Sequence, residues 1–499
     1  RTEVAARHAA AALLHDLGFR FYNPMPRWWI TPKLDDVTID RRDADAPKLI
    51  GRNIWYAYGV RLPHLRQGHE RWRAANFLYQ AAPMHTGHSY AHIIYRNREA
   101  FTEHPEYFAM RENGRRDTLS PTAARKFCYS NPDLTKLIIA DRIKLLREYQ
   151  QRNPYEFMVS MDPSDGEGTC YCEPCQQIGT TTDRVIHLAN AVARAIRKED
   201  PNAWVGLYAY SSHRLPPTID VEPNVYVQVA MGFNDTQYSL PELVSKWAEK
   251  VSAIGLREYY GVQAWDWGLP GRMRGANVDY HKRWVPYFAE RNVNAINAES
   301  NANWGGQTLG FYVAARMMWD PSVDVQTIRD EYFQLCFGEA APSMRRLQRM
   351  FDEAPKLTPF ALAPMFVELN RAYEQVKAPR HRARIIDMMA YLVYVAEYHR
   401  FSIARSMDPG RNEIYYNALE PLMRYAWQTR DRGMIHSYAL ARRLCNGLPL
   451  QDGRLDFWMF IDRSKPDQKY IDLYHALLAE APAAPDVAGP DEADEADAL

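Results

Sequence analysis

Acidic side chains stand at or just after the ends of several apolar, strand-like stretches of this sequence. Where parallel strands form a barrel, functional side chains collect at the carboxyl ends of the strands. Cleavage of a glycosidic bond needs two carboxyl groups there: one protonates the leaving oxygen, and the other attacks the anomeric carbon or activates water. We therefore predict a catalytic pair among these acids, with helix capping or cation binding as the alternative. The acids are Asp165, Glu167, Asp266 and Glu299.

Aromatic and polar side chains near the same stretches are the predicted substrate-binding residues. Flat rings stack on sugar faces and form hydrogen bonds at their edges. Two histidines form the pattern H-x-x-H, which without a nearby acidic ligand is weak evidence for a metal site, so we favour hydrogen bonds to substrate hydroxyls or to the barrel rim. The alternative for each residue is ordinary core or surface packing. The predicted set is His85, His88, Tyr208, Trp265, Trp267, Asn301 and Trp304.

Four cysteines form the sharpest local pattern. Three of them make C-x-C-x-x-C in a loop, and the fourth follows another strand-like stretch. Four thiols can bind a structural zinc tetrahedrally, and in an oxidising compartment they can form two disulfides instead. Both alternatives stay open at the level of sequence. The four are Cys128, Cys170, Cys172 and Cys175, whereas Cys336 and Cys445 are isolated in helical patterns and predicted to be buried.

The elements that would position these residues alternate between strand-like and helix-like runs from about residue 48 to 340. This rhythm predicts βαβ units and a parallel sheet, and we expect a TIM-like (β/α)8 barrel. An open doubly wound sheet is the alternative, disfavoured because no glycine-rich dinucleotide motif follows an early strand. The predicted strands are at 48–59, 76–82, 155–163, 203–210, 225–232, 257–267 and 293–300.

The domain organisation follows from the same rhythm. We predict the end of an N-terminal α/β domain at 1–46, a catalytic barrel at 47–340, a helical domain at 341–480 and a disordered acidic tail at 481–499. The chain begins within a helical pattern, so we expect an upstream segment, and no signal peptide is present.

Charge and hydropathy exclude two classes of partner. The chain has 61 basic and 61 acidic residues and no net charge, so no long-range field attracts nucleic acid. It has no run of about 18 apolar residues that could span a membrane. Three arginines near one strand could pair with a substrate carboxylate or be surface charges: Arg257, Arg272 and Arg274.

Several segments together resemble the bacterial DUF4838 family. They are LGFRFYNP, RNIWYAYG, GHSY with HPEYFAM, FCYSNPD, DPSDGEGTCYCEPC, and AESNANWG with ARMMWDPSVDV, over roughly residues 10 to 345. The family is related to glycoside hydrolases that include hexosaminidases and α-glucuronidases. The resemblance implies an upstream α/β domain, a TIM-like catalytic barrel, a helical C-terminal domain, and secretion or a periplasmic location.

The resemblance also implies roles for the acids. A strand-end acid at Asp165 or Glu167 would be the proton donor, and Asp266 and Glu299 would be the base candidates. The family's asparagine–glycine pattern before the cysteines is Ser164-Asp165-Gly166-Glu167 here, which leaves the donor position open between two acids.

We therefore predict a glycoside hydrolase that cleaves a poly- or oligosaccharide and needs no cofactor for catalysis. The alternative is a non-catalytic carbohydrate-binding protein on a degenerate barrel, since one fold hosts many functions. A metal-dependent hydrolase that uses the cysteines is disfavoured, because all-thiolate sites are closed and structural.

Overall fold

A parallel sheet of six strands forms the centre of the molecule. The computed structural model describes residues 3–40, 44–57, 59, 62–80, 83–233, 236–262, 270–353 and 355–445. The strands are β1 Arg20–Phe21, β2 Trp29–Ile30, β3 Gly51–Tyr56, β4 Met158–Ser160, β5 Trp204–Ala209, β6 Val225–Ala230, β7 Ala253–Tyr259 and β8 Val293–Ser300. The first two form a small antiparallel pair, and the sheet has the order β3-β8-β7-β6-β5-β4. The sheet is curled into a half-barrel with β3 and β4 at its edges.

Helices cover the outer face of this sheet and make up the C-terminal part of the described chain. Their bounds are α1 Glu3–Asp16, α2 Pro63–Ala75, α3 Tyr90–Arg96, α4 Arg98–Glu103, α5 Pro132–Arg152, α6 Glu173–Ile178, α7 Thr181–Glu199, α8 Leu240–Ala248, α9 Val278–Ala289, α10 Trp304–Trp319, α11 Val325–Phe337, α12 Ala341–Asp352, α13 Pro359–Gln375, α14 Pro379–Met407, α15 Glu413–Gln428 and α16 Ser437–Cys445. None of the helices in the described ranges combines the length and apolar character that a membrane span requires.

Local sequence explains where these elements begin and how they are buried. Thr180 and Asp183 form a capping box at the start of α7, and Ser239 and Glu242 do the same for α8. All six residues of β6 are buried, as expected for a parallel strand covered on both faces. The α/β alternation predicted from the sequence is therefore confirmed for the sheet region.

The described residues do not form the predicted closed eight-stranded barrel. Their sheet has six strands, and a gap remains between its edge strands β3 and β4. The predicted strand at 76–82 is not a strand at 76–80, where the structure describes it. Residues 83–89 occupy the gap instead: Ser160 Oγ donates to the carbonyl of Gly87 at 2.5 Å, and the Ser89 amide donates to the carbonyl of Asp162 at 2.9 Å. A Cβ at Gly206 would overlap the carbonyl oxygen of His85, so the inner face needs glycine there.

The C-terminal helices pack against the N-terminal segment through a buried acid. Asp387 of α14 accepts hydrogen bonds from Trp28 Nε1 at 2.9 Å, Arg27 at 3.1 Å and Arg432 at 2.9 Å. Residues 341–445 are helical apart from their connections, which agrees with the predicted helical region. The domain boundaries stay a prediction, and the predicted acidic tail at 481–499 lies outside the described residues.

Candidate functional site

The carboxyl edge of the half-barrel brings together a carboxylate, an arginine and three aromatic rings. Side chains alternate across a strand, so every second residue faces the inside. Register places Trp55 of β3 and Tyr259 of β7 beside Glu299 of β8. Arg257 lies two residues before Tyr259 on the same face, and Tyr208 reaches this face from β5. These five residues form what we call the Glu299 cluster.

Glu299 and Arg257 form an ion pair within this cluster. Nη2 of Arg257 donates to Oε2 of Glu299, and their side chains are 7% and 16% exposed, respectively. The Arg257 guanidinium also lies 4.7 Å from the ring centre of Trp55 and 5.3 Å from those of Tyr208 and Tyr259. Cation–π contacts and the ion pair together hold Arg257 in one orientation.

Burial raises the pKa of Glu299 above the ordinary range of a glutamic acid. The positive charges of Arg257 and His88 oppose this shift, and the negative charge of Asp165 adds to it. Because burial disfavours the ionised form, Glu299 keeps its proton to a higher pH than an exposed glutamate does. A carboxyl group with these properties can act as a general acid.

A second group of ionisable residues follows β4. The buried Asp162 lies 2.7 Å from Nδ1 of His88 and 3.3 Å from Nε2 of His213, and it accepts the Tyr208 amide at 2.8 Å. Burial raises the pKa of Asp162, but the hydrogen bond from His213 and the close approach of His88, whose Nδ1 also lies 2.7 Å from the carbonyl of Pro163, outweigh it, so the pKa is lowered. Burial lowers the pKa of His88, but Asp162 outweighs this and raises it. Asp162 therefore holds His88 in place and favours its charged form.

The structure separates the two predicted acids of the loop that follows β4. Asp165 is 66% exposed, accepts a hydrogen bond from Tyr210 at 3.2 Å, and lies 3.7 Å from Nε2 of His88. Glu167, at 69% exposure, pairs with Arg214 at 3.4 Å instead. Asp165 is thus the loop acid that joins the residues around Glu299.

Tyr210 links Asp165 to Glu299 electrostatically. Burial and then the charge of Asp165 raise the pKa of Tyr210 to about 12, and Glu299 and Asp162 contribute to the same shift. The three carboxyl groups therefore act on one hydroxyl. His88 connects the same groups, because its ring lies 5.9 Å from those of both Tyr208 and Tyr210.

Lys126 is a buried residue of this region that sequence reasoning missed. Its ammonium group donates to the carbonyl oxygens of Ser164, Asp165 at 3.0 Å and Gly166 at 2.9 Å. These bonds fix the backbone of the loop that presents Asp165. The sequence carries no clear signal for it, because Lys126 follows Arg125 and has the pattern of an ordinary exposed pair of cations.

A polar layer lies below the Glu299 cluster, on the amino side of the strands. Asn53 donates to Asn297 at 3.1 Å, and Thr86 donates to Gln228 at 2.9 Å. Asn53, Gln228 and Asn297 line a cavity of about 270 Å³, whose lining does not include Glu299 or Arg257. The carboxylates therefore lie above the cavity and face the open edge of the half-barrel.

Three predicted substrate-binding residues lie elsewhere. His85 pairs with Glu156 at 2.9 Å before the start of β4, at the opposite end of the sheet. Trp304 is 2% exposed and donates from Nε1 to Tyr56 at 2.7 Å. Asn301 is buried and accepts hydrogen bonds from the Asn303 amide and the Gln307 side chain.

These placements have a physical reason. Helix α10 is apolar on almost every side, so its first residues are packed into the core. Trp304 therefore lies in the core, and the aromatic rings found near Glu299 are those of Trp55, Tyr208, Tyr210 and Tyr259. The predicted residues Trp265, Asp266 and Trp267 lie outside the described residues.

Arg272 and Arg274, which the sequence suggested together with Arg257, do not join it, and Arg272 is exposed. Arg274 pairs with Glu258 at 3.0 Å on the outer face of the sheet, and Tyr280 donates to the same carboxylate at 2.5 Å. Arg274 therefore has a partner within the protein, away from the Glu299 cluster. Glu258 carried no sequence signal beyond its place in a strand.

The four predicted cysteines come together in one buried cluster, and they could hold a metal ion. Their sulfur atoms all lie within 4.8 Å of one another. Measured separations are 3.7 Å between Cys128 and Cys172, 3.9 Å between Cys128 and Cys175, and 3.5 Å between Cys170 and Cys172. Cys336 is buried in α11, apart from this cluster, and Cys445 has no described side chain.

Comparisons with known proteins find one matching family and similar solved structures. The model of a family described as a domain of unknown function, DUF4838, matches residues 24–349. Among solved structures, the chain is similar to a variant of the O-GlcNAc hydrolase of Thermobaculum terrenum, at 10% identity and a TM-score of 0.36. That similarity covers 71% of this chain and 76% of the other, and it is too distant to carry an argument about activity. A comparison with curated proteins finds no match.

Proposed function

The chain belongs to the DUF4838 family, and we propose that it is a glycoside hydrolase in which Glu299 and Asp165 are the two reacting carboxyl groups. The observation that carries the proposal is geometric. Glu299 lies at a strand end and pairs with Arg257, whose guanidinium contacts Tyr208. The ring of His88 lies near both Tyr208 and Asp165. Burial raises the pKa of Glu299 in this setting. Glycosidic cleavage needs one carboxyl group that stays protonated and a second that is ionised.

The difference in burial assigns the two roles. Glu299 is the more buried of the pair, so it is the acid that donates its proton to the glycosidic oxygen as the C–O bond breaks. Asp165 is the carboxylate that either attacks the anomeric carbon or takes a proton from the attacking water. This assignment reverses the roles that the family resemblance implied.

The remaining residues of the site position these groups. Arg257 fixes the orientation of the Glu299 carboxyl group, and Asp162 fixes His88 beside Asp165. Trp55, Tyr210 and Tyr259 are partly exposed and offer ring faces or hydroxyl groups that suit a sugar ring, whereas Tyr208 is buried behind them. We propose a carbohydrate substrate on this basis, and a secreted or periplasmic location remains part of the proposal.

A non-catalytic carbohydrate-binding protein is the second candidate. The observation that favours it is the ion pair itself, because Glu299 already has a partner in Arg257. A binding protein would keep the aromatic rings and use the ion pair only to shape its surface. The two candidates differ in whether bound sugar is cleaved.

A hydrolysis screen separates them. The panel consists of aryl α- and β-glycosides of hexoses, N-acetylhexosamines and hexuronic acids, tested with the wild type and with Glu299→Gln. We expect the wild type to release the aryl alcohol from at least one member and Glu299→Gln to lose that activity. Sugar binding on a glycan array without cleavage of any panel member or array glycan would favour the binding protein. Equal rates for both proteins would remove Glu299 from the mechanism.

A further inference from the structure

The cysteine cluster joins two connecting segments next to the site. Cys128 lies before α5, whereas Cys170 and Cys172 lie in the loop after β4 and Cys175 lies in the first turn of α6. Backbone bonds link the same segments, since the Tyr171 amide donates to the carbonyl of Met110 at 2.8 Å. The cluster therefore lies where the two segments cross.

The spacing of the sulfur atoms fits one tetrahedral ion. A tetrahedron with zinc–sulfur bonds of about 2.3 Å has edges of about 3.8 Å. Three of the six separations, 3.5, 3.7 and 3.9 Å, lie around that value, and all six are within 4.8 Å. All four sulfur-bearing residues are buried, so an ion held by them would be screened from water.

Donors around the cluster suit thiolates. The Met110 amide donates to Sγ of Cys170 at 3.2 Å, and the hydroxyl of Ser130 lies 3.2 Å from Sγ of Cys175. The guanidinium of Arg116 lies 3.9 Å from Sγ of Cys170 and brings a positive charge. Four thiolates and one divalent ion carry a net charge of −2, which these donors and this charge stabilise. Hydrogen bonds to ligand atoms are typical of metal sites.

We propose that Cys128, Cys170, Cys172 and Cys175 bind a structural Zn²⁺ ion that fixes the loop presenting Asp165. Four thiolate ligands complete the coordination of zinc and leave no position for water, so the ion has no direct role in hydrolysis. The loop between β4 and Cys170 is then held at two points. Zinc holds it at Cys170, and Lys126 holds it at residues 164–166. This role does not depend on whether Asp165 is catalytic.

Metal and thiol analysis of the purified full chain tests the proposal. We expect about one zinc per chain, X-ray absorption from four sulfur neighbours at about 2.3 Å, and free thiols at all six cysteines after denaturation with a chelator. The double variant Cys172→Ser/Cys175→Ser should lose the zinc. Cys336→Ser is the matched control, because it removes a buried thiol outside the cluster and should keep the zinc.

Hydrogen exchange tests the effect on the loop in the wild type, so it does not rely on the folding of a variant. Removal of zinc by a chelator should speed amide exchange at least tenfold in residues 161–175, with little change in β6. Absence of zinc, with only Cys336 and Cys445 titrating as thiols, would establish disulfides and overturn the proposal. Full zinc occupancy in the double variant, or unchanged exchange after zinc removal, would also overturn it.

Discussion

Two buried acid–arginine pairs lie on opposite faces of one strand. Arg257 and Glu258 are neighbours on β7, so their side chains point to opposite sides of the sheet. Arg257 faces inward to Glu299, and Glu258 faces outward to Arg274. Both pairs join a glutamate to an arginine, but the two glutamates differ in exposure and in the number of their hydrogen-bond donors.

The carboxylate of the outer pair has its hydrogen-bond donors within the protein. Glu258 is 3% exposed and accepts hydrogen bonds from Arg274 at 3.0 Å and from Tyr280 at 2.5 Å. Glu299 is more exposed, and within the described ranges Arg257 is the side chain that hydrogen-bonds it. A carboxylate whose bonds are supplied by the protein stabilises the fold, whereas one that faces an open edge with a raised pKa is available for chemistry.

The largest expected effect comes from exchanging the acid of the inner pair. Glu299→Gln keeps the shape of the side chain and removes its proton, so we expect kcat to fall by roughly 10²–10⁴-fold, the usual contribution of a general acid. Glu258→Gln is the matched control and should keep kcat within about twofold, because Glu258 lies on the far side of the sheet. Initial rates on a substrate found in the screen measure both. Comparable losses of kcat in Glu299→Gln and Glu258→Gln would mean that Glu299 has no catalytic role that Glu258 lacks.

The second prediction compares the two loop acids. Asp165→Asn should lower kcat by roughly 10²-fold or more, because it removes the ionised member of the pair. Glu167→Gln changes a side chain of nearly equal exposure that pairs with Arg214, and it should leave kcat nearly unchanged. Rescue of Asp165→Gly by azide or formate would mark Asp165 as the base or nucleophile. A loss of kcat in Glu167→Gln, with none in Asp165→Asn, would mean that Glu167 is the base or nucleophile.

Much of the fold could be predicted from local sequence. The strand at 293–300 has the predicted bounds, because Val293, Ala295, Ile296 and Ala298 supply buried apolar positions before the polar end of the strand. The predicted strand at 257–267 lies instead at Ala253–Tyr259. Its apolar interior is the short run before Arg257, and the aromatic residues that suggested a strand come after it. The gap in the barrel was not predictable, because it depends on residues 83–89 packing between distant edge strands.

The site could be predicted where its residues are close together in the sequence or directly end a strand. The cysteine spacing and the acid at the end of β8 needed no tertiary information. The pairing of Arg257 with Glu299 depends on the register between β7 and β8, which the sequence does not contain. Trp304 follows the same strand as Glu299 and looks like a site residue, but the packing of α10 decides its burial.

The third prediction changes the pKa of Glu299 through its partner. The positive charge of Arg257 lowers that pKa against the larger effect of burial. Arg257→Gln removes the charge, so the pKa of Glu299 should rise further. A general acid must be protonated, so the rate falls as the pH rises through this pKa, and that limb of the pH profile should move to higher pH. Arg274→Gln, which changes the outer pair, should leave the limb in place; a limb that moves in both variants or in neither would contradict the assignment.

The last prediction concerns the free energy of unfolding, to which the two pairs should contribute by different amounts. Glu258→Gln leaves Arg274 without its charged partner, and loss of one member of a buried pair is destabilising. Because the Arg274 side chain is 30% exposed, water compensates part of this loss, and we expect the free energy of unfolding to fall by about 1–3 kcal/mol. The raised pKa of Glu299 means that its ionisation costs the folded state stability as the pH rises through that pKa. Glu299→Gln likewise leaves the buried Arg257 without its charged partner, but it also removes the cost of ionising Glu299, so above that pH it should destabilise the fold less than Glu258→Gln does. Urea denaturation at two pH values measures both variants, and equal destabilisation by the two substitutions would show that Glu299, like Glu258, serves the fold.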